Sequence, residues 1–108
     1  MSGADLSTIT ASALLADLSA AVLSKARGAA RRGLVHPDPL AASVWWVDSL
    51  RPEVETRYRV AMDYDPETGE LSWVRCSCLH AQRAGRGLCR CYHAGAVLLL
   101  ITGREKRS

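Results

Sequence analysis

The chain has no phenylalanine, so its aromatic packing must come from three Trp and three Tyr. It has no cysteine outside residues 76–93, which argues for a local use of sulfur and against a disulfide framework. It has no long hydrophobic run. The strongest, "AVLLLI" (96–101), is far too short to span a bilayer. The opening residues, "MSGADLSTIT", carry an acid where a secretory leader would carry bases, and their apolar residues are spaced apart. There is no internal repeat, no low-complexity segment, no Ser-His-Asp set and no glycine-rich phosphate loop. Acids are scarce at the C-terminal end, where residues 71–108 hold only Glu105. These absences lead to the expectation of a cytoplasmic protein without a membrane partner.

What is present fits one small domain. A length of 108 residues allows one modest core, and 48% apolar with 23% charged residues is ordinary for a globular chain. The net charge of +3 conceals a division: residues 1–33 carry 4 − 2 = +2, residues 34–70 carry 3 − 8 = −5, and residues 71–108 carry 7 − 1 = +6. The basic part could form a surface for phosphates.

The first third has helical periodicity. Leu14, Leu15, Leu18 and Val22, with Ala11, Ala26 and Ala29, fall on one stripe, and Gly33 and Pro37 supply a cap and a stop. "HPDPL" (36–40) reads as a linker or turn. Three strands then follow in "SVWWVDSL", "RYRVAMDY" and "ELSWVRC", and "DPETG" closes a hairpin between the last two. Tyr58, Val60, Met62 and Tyr64 share one face of the middle strand, and the adjacent Trp45 and Trp46 must point to opposite faces. The three Trp are expected to serve packing rather than base stacking. A last helix carries Ala94, Val97, Leu98 and Ile101 as a stripe and ends at Gly103. The expected fold class is α+β: an N-terminal helix, a three-stranded antiparallel sheet, a metal-ligand segment and a C-terminal helix.

The segment "CSCLHAQRAGRGLCRCYH" (76–93) holds all four cysteines and two of the three histidines. Cys76 and Cys78, one residue apart at a strand end, present both sulfurs to the same side. Cys91 and His93 have the same spacing at the start of a helix. Four such donors suit tetrahedral zinc, with Zn–S near ~2.3 Å and Zn–N near ~2.0 Å. Arg75 and Arg90 stand near enough in sequence to offset the −1 charge of three thiolates on a divalent ion. "CRC" (89–91) repeats the spacing of "CSC", so a four-cysteine set that includes Cys89 stays open, as does iron–sulfur or redox use of the thiols. His80 reads as a surface residue of the loop. Asp63, Asp65, Glu67 and Glu70 read as a solvated hairpin tip.

In the pattern C-x-C, twelve residues, C-x-H and an aliphatic helix, the chain resembles the SWIM zinc finger. The likeness extends upstream through "ARGAARRGLV", "WWV", "YRV" and "WVRCSC", covering about residues 26–101. The chain is expected to divide into an N-terminal helical segment (1–36) packing on a SWIM-type finger (37–108). The likeness implies one structural zinc on Cys76, Cys78, Cys91 and His93, and a role in binding nucleic acid or protein. Four protein ligands leave no position for a reactive water and no general base stands nearby, so an enzyme is not expected. The expected partner is nucleic acid, DNA ahead of RNA, met by Arg83, Arg86 and Arg90 of the loop with the basic tail. The alternative is a protein-interaction adaptor, or a homodimer, using Leu6, Ile9 and Leu23 off the main helical stripe.

Overall fold

The computed structural model describes residues 9–51, 53, 55–78 and 88–105. These form a mixed α+β domain in the order β1 (Ile9–Thr10), α1 (Ala11–Ala16), α2 (Ala20–Arg31), β2 (Val35–Pro37), β3 (Val44–Asp48), β4 (Arg57–Asp65), β5 (Glu70–Cys76) and α3 (Tyr92–Ile101). The strands make one antiparallel sheet in the order β1-β5-β4-β3-β2.

The sheet therefore has five strands, not the expected three. The central meander β3-β4-β5 lies where the sequence places it. The two added strands are short edge pieces: β1 pairs Ile9 with Leu71, and β2 pairs Val35 with Val47. Two or three residues are too few to show a period, so pairing to a neighbour, not local pattern, defines them. His36 consequently belongs to a strand and not to a linker, with Nε2 at 2.9 Å from Asp48 Oδ2.

The N-terminal helix is likewise two helices. Thr10 caps α1 by accepting from the Ala13 N–H (3.1 Å), and Ser19 caps α2 by accepting from the Val22 N–H (3.2 Å). The apolar stripe continues across the break because both helices bury it. Leu14, Leu15, Ala26 and Ala29 are buried, and Leu18 packs between them. Ile9 and Leu23, expected on an interaction surface, pack against this core instead, and Leu6 lies outside the described residues.

Two glycines do what their positions require. Gly33 ends α2 at φ +72°, where its N–H reaches Ala30 O and the Leu34 N–H reaches Ala29 O, satisfying the last carbonyls of the helix. Gly69 at φ +76° closes the β4–β5 hairpin, its N–H on Asp65 O at 2.7 Å.

Helix α3 is the centre of the core. Every residue from His93 to Leu99 is buried, so it presents no polar face where a single stripe was expected. One side lies on β4 and β5, and α1 and α2 cover the others. Close approach of α2 depends on Gly95, where an added Cβ would stand 3.0 Å from Leu18 Cδ1 and 3.1 Å from Ala26 Cβ. No helix among the described residues is long and apolar enough to cross a membrane.

Candidate metal centre

The end of β5 and the start of α3 meet at one corner of the core. Cys76 is the last residue of β5, and Cys78 follows two residues later on the same side. Cys91 is the N-cap of α3, and His93 lies in its first turn. The strand pair fixes the first couple of donors, and the helix start fixes the second.

The loop between them returns under control. The Cys89 N–H donates to Val74 O at 3.1 Å, and Leu88 makes a parallel bridge to Val74. This seats the chain beside β5 two residues before the helix begins. The Cys91 sulfur then takes the capping place that Ser or Asp usually fills, accepting from the Ala94 N–H at 3.5 Å. A thiolate there faces the positive end of the helix dipole.

The donor atoms of Cys76, Cys78, Cys91 and His93 all lie within 4.8 Å of one another. Cys78, Cys91 and His93 are buried and Cys76 is half-buried. His93 Nδ1 stands 3.6 Å from Cys76 Sγ. For a tetrahedral ion with the usual Zn–S and Zn–N lengths, the sulfur–nitrogen edge is about 3.5 Å and the sulfur–sulfur edge about 3.8 Å. The spacing is thus of the size that a single ion fills. Neither hydrogen bonding nor a disulfide requires four such groups to converge, and all four cysteines are free thiols.

Two tyrosines hold the imidazole. Tyr58 of β4 stacks on His93 with ring centroids 4.0 Å apart and planes at 29°, and Tyr92 lies at 4.0 Å and 39° on it. Tyr92 stood between two of the expected ligands in sequence. Tyr58 did not, because only the pairing of distant strands brings it here.

Cys89 is outside the four-donor cluster, though buried next to it. Its thiol pKa is pushed far up, first by the adjacent Cys91 sulfur and then by burial. Cys91 is raised in the same direction, chiefly by the Cys76 sulfur. Crowded sulfurs cannot all ionise together without a cation among them. The arrangement can hold one metal ion.

The three arginines expected to meet nucleic acid fare differently. Arg83 and Arg86 lie outside the described residues, as do His80 and the tail residues Lys106 and Arg107. Arg90 is exposed, but its Nε is 2.7 Å from Asp17 Oδ2 at the end of α1, so an anion already faces it. Arg75 turns to the far side of the sheet, its guanidinium 5.0 Å above the Trp73 ring, and does not face the donors.

No protein-family model, no curated protein and no solved structure matches the chain.

Proposed function

We propose that the protein is a small, non-enzymatic zinc-binding domain of SWIM type, in which one structural Zn²⁺ is held by Cys76, Cys78, Cys91 and His93 and a basic surface binds nucleic acid. The observation that carries the metal is the convergence of three sulfurs and one imidazole within 4.8 Å. Zinc is the choice because this borderline-soft ion takes three thiolates and one nitrogen in a closed tetrahedral site. With every coordination position taken by protein, such an ion shapes the fold and has no place for a substrate or a reactive water.

The nucleic-acid reading is supported by charge. Residues 71–108 carry 7 − 1 = +6, and Arg83 and Arg86 fall between the two ligand pairs in the loop whose ends the ion would anchor. Their guanidinium groups are of the kind that pairs with phosphate.

Metal stoichiometry by native mass spectrometry tests the first part. One zinc per chain is expected in the wild type and in Cys89→Ser, and none in His93→Ala. Retention in His93→Ala with loss in Cys89→Ser would assign the ion to four cysteines instead. The second part is tested by the affinity for short DNA and RNA at two salt concentrations. Replacing Arg83 and Arg86 by Gln is expected to weaken binding and flatten its salt dependence.

A further inference from the structure

The sheet has two faces, and only one is used by the core. Outward-facing positions follow from the register: His36, Trp46 and Arg59 form one row across β2, β3 and β4; Val44, Ala61 and Arg75 form the next across β3, β4 and β5; Asp63 and Trp73 form the third. Trp45, Tyr58 and Tyr64 pack against the core cluster from the inner face, whereas Trp46 and Trp73 do not belong to it. Both outward indoles are half-buried, and Arg59 and Arg75 are exposed. The core accounts for Trp45, whereas Trp46 and Trp73 lie outside it, on the face that carries Val44 and Ala61.

We propose that this outer face is a binding platform for single-stranded nucleic acid, with Trp46 and Trp73 as stacking surfaces and Arg59 and Arg75 as the phosphate contacts. This rests on the nucleic-acid reading above and moves its centre from the loop to the sheet. Trp46, Trp73 and Arg75 are already positioned. The Trp46 Nε1–H donates to Asp38 Oδ2 at 2.9 Å, which fixes the indole edge. The Arg75 guanidinium carbon lies 5.0 Å over the Trp73 ring, a cation–π contact beside which a base can stack. Four residues along β4 and two strand spacings separate the two indoles, roughly 16 Å for ordinary strand geometry, a span of two to three nucleotides. Val44 and Ala61, between them in the register, are buried, so the larger side chains of this face close over them.

The charges on this face decide which polymer fits. Asp48 is matched by Arg57 at 2.7 Å and His36 at 2.9 Å, and Asp38 is engaged by Trp46, by the Leu40 and Ala41 amides and by the nearby charge of Arg59. Asp63 is exposed directly across from Trp73, and Asp65 and Glu70 pair further toward the hairpin. Arg59 and Arg75 occupy the centre. Two guanidinium groups between two indoles match a strand that offers phosphates and free base faces together. A duplex hides its base faces, and the carboxylates of an acidic peptide are not each joined to a flat ring as phosphates are joined to bases.

The test uses the zinc-loaded full chain and a dT or rU 12-mer, read by tryptophan fluorescence and by anisotropy of a labelled oligonucleotide. Binding is expected to quench tryptophan emission, to favour single strands over a duplex of equal length, and to show a log–log salt slope of about −1.4 for two phosphates. Trp73→Leu is expected to weaken binding roughly ten- to a hundred-fold, the loss of one stacked base. Because Trp73→Leu is open to the objection of altered folding, Arg59→Gln with Arg75→Gln serves as the exposed-surface control and must also weaken binding and flatten the slope. Loss of binding in Arg83→Gln/Arg86→Gln, with wild-type affinity in the sheet-face variants, overturns the platform and leaves the proposed function standing. Absence of wild-type binding to the single strands and to the duplex alike overturns both, and binding to the duplex alone overturns the platform and leaves the proposed function standing. Concentration-dependent quenching without oligonucleotide, with a dimer in sedimentation, assigns the face to a second copy and likewise overturns the proposal.

Discussion

Cys91 is assigned two tasks that chemistry can separate: its sulfur caps α3 through the Ala94 N–H and is one of the four clustered donors. Serine keeps the first task and loses the second, while alanine loses both. The cap is worth about 1 kcal/mol. Zinc binding is worth on the order of 10 kcal/mol of apparent free energy at neutral pH. Total stability for a chain of this length is about 5–16 kcal/mol, so the metal term rivals the whole. The nearby Cys89 thiol is a substitute ligand in waiting, so the comparison belongs in a Cys89→Ser background. There, the parent is expected to melt at a zinc-dependent temperature that collapses on chelation. Cys91→Ser is expected to melt as the chelated parent does and to ignore added zinc. Cys91→Ala should lie below Cys91→Ser by only about 4 °C, the value of the cap for a domain of this size. Thermal melts by circular dichroism with stepwise zinc and chelator read all three. A Cys91→Ser variant with the parent's zinc response would refute the donor role and leave Cys91 as a cap alone.

Zinc affinity should rise with pH between 6 and 8, because crowding holds the Cys91 thiol protonated and the ion must expel protons from its sulfur ligands; competition with a chromogenic chelator at several pH values checks the direction. Gly95→Val should destabilise by roughly 2–3 kcal/mol, since its branches meet Leu18 and Ala26 where even a single Cβ is tight. Gly95→Ala should cost less, because helix propensity returns about 1 kcal/mol, and urea unfolding measures both. Asp48→Asn should cost on the order of 0.5–1 kcal/mol at pH 7 through loss of a part-exposed network joining β2, β3 and β4. Partial burial pushes the Asp48 carboxyl up, but its bonds to His36 and Arg57 outweigh this and hold it below its ordinary value. Its contribution is therefore present above about pH 4 and fades as pH falls through the lowered value, so wild type and variant should converge in acid.

What sequence could reveal here was set by the range of each interaction. The hairpin, the glycine caps and the three central strands rest on neighbours a few residues apart, and they stand where "DPETG", Gly33 and the alternation of "RYRVAMDY" place them. The donor cluster was legible for the same reason, since each pair is set by a two-residue spacing on a strand end or helix start. The two edge strands escaped because three residues or fewer carry no pattern, and because His36 beside two prolines resembles a turn until Trp46 is seen opposite it. The break at Asp17–Ser19 escaped because an unbroken apolar stripe conceals a change of helix, although Ser19 before an alanine-rich run was a visible cap. Tyr58 beside His93 and the outward setting of Trp46 and Trp73 depend on which strands lie side by side and in which register. A one-residue slip would turn those indoles inward. The difference between the two sides of this sheet is thus a property of pairing. The donor cluster joins the end of β5 to the start of α3, so an ion held there would tie that strand to the helix it packs against.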